Sequence, residues 1–141
     1  MKMSFDEAAE LIKKHEGFSH RIYLDTQGVP TGGWGHAFLE GSKLPLDVAT
    51  KLFWYDFHRT IQEYMELELD LDHVRRSVVL NMIFNLGLTK FLKFKKMLAA
   101  LREGNYIKAS EEMLDSKWAK QVGNRAIELA RMMESGEQPE D

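Results

Sequence analysis

The segment His73–Leu86 constrains the fold of this 141-residue chain more than any other part of the sequence. Asp72 can cap a helix there and Gly87 can end it, because aspartate accepts backbone N–H bonds and glycine enters the left-handed conformation cheaply. Apolar side chains cover most of the circumference of this helix: Val74, Val78, Leu80, Met82, Ile83, Phe84 and Leu86. A helix that is apolar nearly all round is a buried one. We therefore expect a helical core around this segment, with Asn81 and Asn85 as its one polar seam.

Further helices are predicted from apolar spacing, capping residues and glycine stops. The first extends from about Phe5 to His15, and the longest extends from about Leu46 to Met65. The shorter ones are Phe94–Arg102, Tyr106–Leu114, Lys117–Val122 and Arg125–Ser135. The sequence therefore predicts a mainly helical protein.

One stretch of the sequence, near the N-terminus, favours β structure. Arg21–Leu24 is typical of a strand, Asp25–Gly28 of a turn, and Val29–Trp34 of a returning strand. We expect this hairpin to be the only β structure in the chain. The predicted fold class is α+β and predominantly helical, with a small lobe that contains the hairpin and a larger helical lobe.

Composition and charge exclude several classes of protein. The chain is 44% hydrophobic and 29% charged, which is typical of a globular domain and not of a disordered one. It has no cysteine, so disulfides and thiolate metal sites are excluded. Its net charge of −3 argues against a nucleic-acid partner. Four acidic residues follow the last basic residue, Arg131, so the rest of the chain is near neutral and can carry a local basic patch: Glu134, Glu137, Glu140 and Asp141.

Three polar residues around the hairpin are candidates for catalysis. Glu16 ends the first helix, where the negative end of the helix dipole favours a protonated carboxyl group, as a general acid requires. Asp25 lies in the hairpin turn and Thr31 in the returning strand. Taken singly, these are most often a surface glutamate, a turn aspartate and an ordinary strand threonine. Together, two carboxylates in different surroundings are the pair that glycoside hydrolysis uses.

The sequence resembles the phage-type lysozymes, the endolysins typified by the enzyme of the T-even bacteriophages. The residues that carry the resemblance are His15–Gly17, Ile22–Gly28 and Thr31–His36, with the family's spacing from Glu to Asp, to Thr and to Gly-x-Gly-His. It continues in the segments 47–56, 74–87 and 116–126 and so covers nearly the whole chain. The resemblance implies a two-lobe fold: residues 1–46 form the small lobe, 47–71 an interlobe helix and link, and 72–141 the helical lobe.

The resemblance also implies a role for each site residue. Glu16 is the general acid, Asp25 the second catalytic carboxylate, and Thr31 helps Asp25 to hold the attacking water. The residues implied in substrate binding are Ala37, Phe84, Asn85 and Arg125. No cofactor and no metal is implied. A structural ion pair between His36 and Asp56 is implied as well, whereas Trp118, Phe94 and Phe53 are assigned to packing and Trp34 is left open.

The activity implied is hydrolysis of the β-1,4 bond between N-acetylmuramic acid and N-acetylglucosamine in peptidoglycan, by direct water attack with inversion. Two alternatives are a lytic transglycosylase acting on the same bond and a non-catalytic wall-binding protein on the same scaffold. The segment between His36 and Pro45 is shorter than in the T-even phage enzyme. We therefore expect the lower wall of the cleft, and the glycan subsites on that side of the cleft, to be reduced.

The cellular setting is a further expectation. The charged N-terminal segment has no apolar signal core, so we expect accumulation in the bacterial host cytoplasm. We expect a monomer that makes no stable membrane insertion. It would reach the peptidoglycan glycan strands after a separate protein permeabilises the membrane.

Overall fold

The computed structural model describes residues 3–139, so Glu140 and Asp141 of the acidic tail lie outside the described residues. The described part contains eight helices and three strands. In chain order they are α1 (Phe5–Glu16), β1 (Ser19–Leu24), β2 (Pro30–Gly33), β3 (His36–Ala37), α2 (Leu46–Glu66), α3 (His73–Leu86), α4 (Leu88–Phe91), α5 (Lys95–Arg102), α6 (Tyr106–Leu114), α7 (Lys117–Val122) and α8 (Asn124–Ser135). The predominantly helical α+β fold class is therefore confirmed.

Two short elements were not predicted from the sequence. The strand β3 pairs with β2 and makes the sheet three-stranded, so the prediction of a hairpin as the only β structure is wrong. The helix α4 is a single turn of four residues. Elements of two and four residues are too short to show an apolar period, and tertiary pairing creates them.

The contacts between residues divide the chain into two compact units, with the boundary after Leu46. In the first unit, Ser4 caps α1: its hydroxyl accepts from the backbone N–H of Glu7 at 3.1 Å, and the Glu7 carboxylate reaches back. Gly17 ends α1 at a φ of 70°, a value that favours glycine, and turns the chain into β1. The antiparallel sheet places Thr31 of β2 between Tyr23 of β1 and Ala37 of β3.

The second unit is built around α3, as its apolar surface predicts. Val78, Val79, Met82 and Ile83 on this helix are all buried, with at most 1% of each residue exposed. The other buried apolar side chains come from α2 and from α4 to α8, among them Met97, Met113, Trp118 and Met133. Close packing of this kind makes each core side chain costly to remove.

The guanidinium group of Arg75 joins the start of α3 to the end of α8. It donates to the carbonyl oxygens of Met133 at 2.6 Å and Glu134 at 3.0 Å, and to the carboxylate of Asp72 at 3.1 Å. Its central carbon lies 3.8 Å from the centre of the Tyr106 ring. Carbonyl oxygens at the end of a helix have no partner within the helix, so Arg75 satisfies groups of α8 that would otherwise need water.

Among residues 3–139, no helix is long and apolar enough to cross a bilayer.

Candidate active site

Glu16 is the last residue of α1, and its side chain packs against the turn between β2 and β3. A Cβ atom added to Gly35 in that turn would lie 2.6 Å from Oε2 of Glu16 and 2.9 Å from its Cδ. Any residue other than glycine would place its Cβ atom in the space that the Glu16 carboxyl group occupies. Gly35 also has a φ of 75°, a backbone conformation that other residues adopt only with strain. The Glu16 carboxyl group therefore lies against the backbone of the β2–β3 turn at Gly35.

Asp25 begins the turn between β1 and β2, and one of its carboxylate oxygens is held by the backbone. Oδ1 accepts from the N–H of Gln27 at 2.8 Å and from the N–H of Val29 at 2.9 Å. The backbone N–H of Asp25 donates to the carbonyl oxygen of Val29 at 2.9 Å. Within the described part of the chain Oδ2 has no hydrogen-bond partner, so this oxygen is available to a ligand.

Thr31 is one of the few buried polar residues, with 6% of its surface exposed. Its hydroxyl donates to the carbonyl oxygen of Val29 at 2.8 Å. A hydroxyl group has one hydrogen to donate, so the Thr31 oxygen remains able to accept a hydrogen bond. Val29 thus contacts both candidates. Its N–H donates to the carboxylate of Asp25, and its carbonyl oxygen accepts from the backbone N–H of Asp25 and from the hydroxyl of Thr31.

The first unit therefore links Asp25 in the β1–β2 turn to Thr31 and Ala37 on the sheet. Asp25 and Thr31 share Val29, and Ala37 pairs with Thr31 across the neighbouring strand. Glu16 contacts the turn that connects the same two strands. A fixed carboxylate oxygen, an acceptor hydroxyl and an exposed carboxyl group are the groups that acid–base chemistry on a sugar bond needs.

The other predicted substrate-binding residues lie in the second unit. Phe84 and Arg125 line one cavity of about 330 Å³, whose remaining walls are Phe53, Phe57, Ser77, Leu80 and Asn81. The guanidinium group of Arg125 donates to Oδ1 of Asn81 at 3.0 and 2.7 Å. Asn85 does not line this cavity, because its Oδ1 accepts from the indole N–H of Trp118 at 2.8 Å. The structure thus separates Asn85 from Phe84 and Arg125.

The aromatic residues assigned to packing differ in their surroundings. Trp118 is 3% exposed and Phe94 packs against the same core, whereas Phe53 is 44% exposed and contacts Phe57 and Phe84. Trp34, to which the sequence assigns no role, is 49% exposed, and its ring lies tilted against that of Phe18 with 4.6 Å between ring centres.

The proposed pair of His36 and Asp56 stays a prediction. The carboxylate of Asp56 lies 3.7 Å from the guanidinium group of Arg59 on the same helix. The His36 ring meets the Phe38 ring at 4.7 Å between centres.

Sequence reasoning missed the two residues that position the candidate groups. Gly35 was noted only as part of a motif, although two glycines flanking a single residue after a strand indicate a tight turn. Val29 acts through its peptide groups, and no side-chain pattern signals such a role. Only the structure shows that Val29 hydrogen-bonds to Asp25 and Thr31 and that Glu16 lies against Gly35.

Comparison with known proteins places the chain in a family. The family model described as phage lysozyme matches residues 13–134, which span most of the chain. The probable T4-type lysozyme 1 of Dictyostelium discoideum is 28% identical over 130 residues, which cover 91% of this chain and 72% of that protein. The probable T4-type lysozyme 2 of the same organism is 27% identical, over 90% of this chain and 93% of that protein.

A part of a larger protein is similar as well. The pre-baseplate central spike protein Gp5 of Enterobacteria phage T4 is 27% identical over 91% of this chain, but the matched region is only 28% of that protein.

Fold and sequence together define a lysozyme-like protein of the predominantly helical α+β class. Because the matching model covers far more than half of its residues, the chain belongs to the phage lysozyme family.

Proposed function

We propose that this protein is a lysozyme that hydrolyses the β-1,4 bond between N-acetylmuramic acid and N-acetylglucosamine in peptidoglycan. The observation that carries the proposal is the shared hydrogen bonding of Asp25 and Thr31 to Val29. It leaves one carboxylate oxygen in the β1–β2 turn and one hydroxyl oxygen on β2 as acceptors. The T4-type lysozymes among the relatives support the same activity.

In the proposed reaction a water molecule donates one hydrogen to Oδ2 of Asp25 and the other to Oγ1 of Thr31. Both oxygens are free to accept, because Oδ1 already binds two N–H groups and the Thr31 hydrogen is given to Val29. The lone pair of the water is then directed at the anomeric carbon. As the carbon–oxygen bond forms, Asp25 takes the proton of the water, and the anomeric centre is inverted.

Glu16 completes the reaction by protonating the glycosidic oxygen as its bond to the anomeric carbon breaks. This role requires a carboxyl group in a fixed place, since a positioned proton donor is worth about 10² to 10⁴ in rate. The contact of Glu16 with the turn at Gly35 supports this role. We further propose that Ala37, Phe84, Asn85 and Arg125 contribute to glycan binding, and that the protein acts as a monomer on the glycan strands.

A turbidity assay on permeabilised Gram-negative cells tests the proposal. Glu16→Gln should clear cells at least about 10²-fold more slowly than the wild type, because the amide cannot donate the proton. Glu10→Gln is the matched control: Glu10 is exposed on the same helix, so this variant should clear cells at the wild-type rate. Equal clearing by Glu16→Gln and the wild type would refute the role of Glu16.

Thr31→Val tests the water separately. The substitution keeps the shape of the side chain but removes the acceptor oxygen, and we expect slower lysis by about 10-fold or more, with glycan binding unchanged. Thr31→Ser retains the hydroxyl and should recover most of the rate. If Thr31→Val lyses cells as fast as Thr31→Ser, the hydroxyl does not hold the water.

The setting of the activity is also proposed. We propose that the protein accumulates in the bacterial host cytoplasm and acts after a separate protein permeabilises the membrane. Cells that produce the protein alone should then continue to grow, and should lyse when chloroform or a pore-forming protein is added. Lysis without either would contradict this setting.

A further inference from the structure

The charge of the second unit is concentrated in a way that the proposed reaction does not explain. Between Asp72 and Glu103 the sequence contains no acidic residue, although the whole chain has a net charge of −3. The basic residues in that interval are Arg75, Arg76, Lys90, Lys93, Lys95, Lys96 and Arg102. A basic segment within an acidic protein indicates an anionic partner at that surface.

The four lysines of this interval all lie in residues 90–96, which belong to α4, α5 and the turn between these helices. Together with the first residue of α7 they border one cavity of about 610 Å³, and we name this group the lysine patch: Lys90, Lys93, Lys95, Lys96 and Lys117. All five side chains are exposed. Among residues 3–139, none of their ammonium groups lies within 4.0 Å of a carboxylate. The patch therefore presents unpaired positive charge to solvent.

Two acidic residues lie on the same cavity and offset part of this charge. Glu112 belongs to α6, and Asp115 is the residue that follows the end of that helix. Five ammonium groups against two carboxylates leave a local excess of three positive charges. The excess is enough to attract an anionic surface at moderate ionic strength, where charges act over about 10 Å.

The backbone beneath the patch is held by the core. Phe91 is fully buried, and Phe94 stacks beside it with 6.2 Å between ring centres. Phe94 also meets the edge of Trp118 at 6.3 Å, and Trp118 is fixed by its bond to Asn85. The backbone segments that carry the lysines are therefore anchored to the core.

An exposed apolar residue occurs in the same turn as Lys93. Leu92 occupies the turn between α4 and α5, directly before Lys93, and is 41% exposed although its neighbour Phe91 is fully buried. Exposed apolar and basic residues next to each other are typical of surfaces that lie at a membrane interface.

We propose that the lysine patch and Leu92 bind the surface of a bilayer containing anionic phospholipids. The lysines pair with lipid phosphate groups, and Leu92 enters the boundary between headgroups and acyl chains. A soluble polyanion would use the lysines but gain nothing from Leu92, which is why the structure favours a lipid surface. Binding is peripheral and reversible, and it does not depend on the proposed hydrolysis.

Co-sedimentation with vesicles tests the proposal. The wild-type protein should sediment with vesicles of equal parts phosphatidylglycerol and phosphatidylcholine at about 20 mM salt, and should dissociate at about 300 mM, where screening is strong. It should not sediment with pure phosphatidylcholine. Failure to bind the anionic vesicles at low salt, or equal binding to the neutral ones, would overturn the proposal.

Matched variants assign the binding to the patch. Each lysine near an anionic membrane contributes about fivefold in affinity, so Lys93→Gln with Lys96→Gln should weaken binding about 25-fold. Lys14→Gln with Lys51→Gln changes the net charge equally at exposed sites elsewhere and should leave vesicle binding within about twofold of the wild type. An equal loss of vesicle affinity in both double variants would show that binding depends on net charge alone, and would refute a role for the lysine patch.

Leu92→Ser separates a lipid surface from a soluble polyanion. This variant should bind vesicles several-fold more weakly and leave binding to soluble polyphosphate unchanged. If Leu92→Ser has no effect and polyphosphate binds as tightly as the vesicles, the patch recognises phosphate polymers and the membrane proposal is wrong. Hydrolysis of purified peptidoglycan should stay at the wild-type rate in every variant, so failure of this proposal is distinguishable from failure of the proposed lysozyme activity.

Discussion

Gly35→Ala should remove most of the lytic activity while leaving the protein folded. The added Cβ would lie 2.6 Å from Oε2 of Glu16, whereas ordinary contacts begin at about 3.4 Å. The Glu16 carboxyl group is the flexible end of its side chain, so it must move by about 0.8 Å. A displacement of about 1 Å in a catalytic group can cost about 10²-fold in rate.

The substitution also strains the backbone, and this cost must be separated from the displacement. Gly35 has a φ of 75°, where an L-residue with a Cβ costs about 1–2 kcal/mol. Gly41→Ala is the matched control, because Gly41 has a φ of 82° and no atom within 4 Å of an added Cβ. Both variants should lose a similar few degrees in Tm.

Thermal unfolding followed by circular dichroism, together with the turbidity assay, decides between the two effects. We expect Gly41→Ala to lyse cells at nearly the wild-type rate and Gly35→Ala to lyse them roughly 10²-fold more slowly, at similar Tm. If the two variants are equally active, the placement of Glu16 by the β2–β3 turn does not matter for catalysis and the reasoning fails.

Three further predictions concern stability. Burial alone would raise the pKa of Asp72, but hydrogen bonds from the backbone and side chain of Arg75 lower this pKa overall. Ionised Asp72 therefore stabilises the fold above its unfolded pKa of 3.8. This stabilisation disappears as the pH falls through the pKa of Asp72 in the folded protein. The difference in unfolding free energy between wild type and Asp72→Asn, which keeps the cap, should therefore shrink below about pH 4 in urea titrations, and a constant difference would contradict it. Phe91→Ala should cost about 3–5 kcal/mol in chemical unfolding because Phe91 is fully buried, against less than about 0.5 kcal/mol for the 94% exposed Phe5→Ala; similar costs would rule out the core described for the second unit. Arg75→Ala should destabilise by about 2–4 kcal/mol, and Arg76→Ala, an exposed neighbour, by much less; equal effects would show that the contacts of Arg75 with α8 add nothing.

Much of the helical unit could be predicted because its signals are local. The apolar surface of α3, the caps Asp72 and Ser116 and the stops Gly87 and Gly136 lie within single segments, and the helix bounds agree with them to within one or two residues. The burial of α3 follows from its sequence pattern, because a helix with apolar side chains on every side can hide them from water only when other elements surround it.

The arrangement of the candidate site was only partly accessible from the sequence. The residues Glu16, Asp25 and Thr31 were found by their spacing and resemblance, but spacing does not show which atom binds which. That Oδ1 of Asp25 is occupied and Oδ2 free depends on the backbone of Val29, and the strand β3 that places Ala37 beside Thr31 has only two residues. Asn81 and Asn85 looked like one polar seam, yet they accept hydrogen bonds from different residues, Arg125 and Trp118.

The chemistry of the product tests the central claim most directly. Purified peptidoglycan is digested in water enriched in ¹⁸O, and the released fragments are analysed by mass spectrometry. If Glu16 protonates the leaving oxygen while Asp25 and Thr31 direct a water, the wild type and Glu10→Gln release fragments whose muramic acid carries one ¹⁸O at a free reducing end, and Glu16→Gln releases almost none. Fragments with anhydro-muramic ends and no ¹⁸O, or equal release by Glu16→Gln, would contradict it.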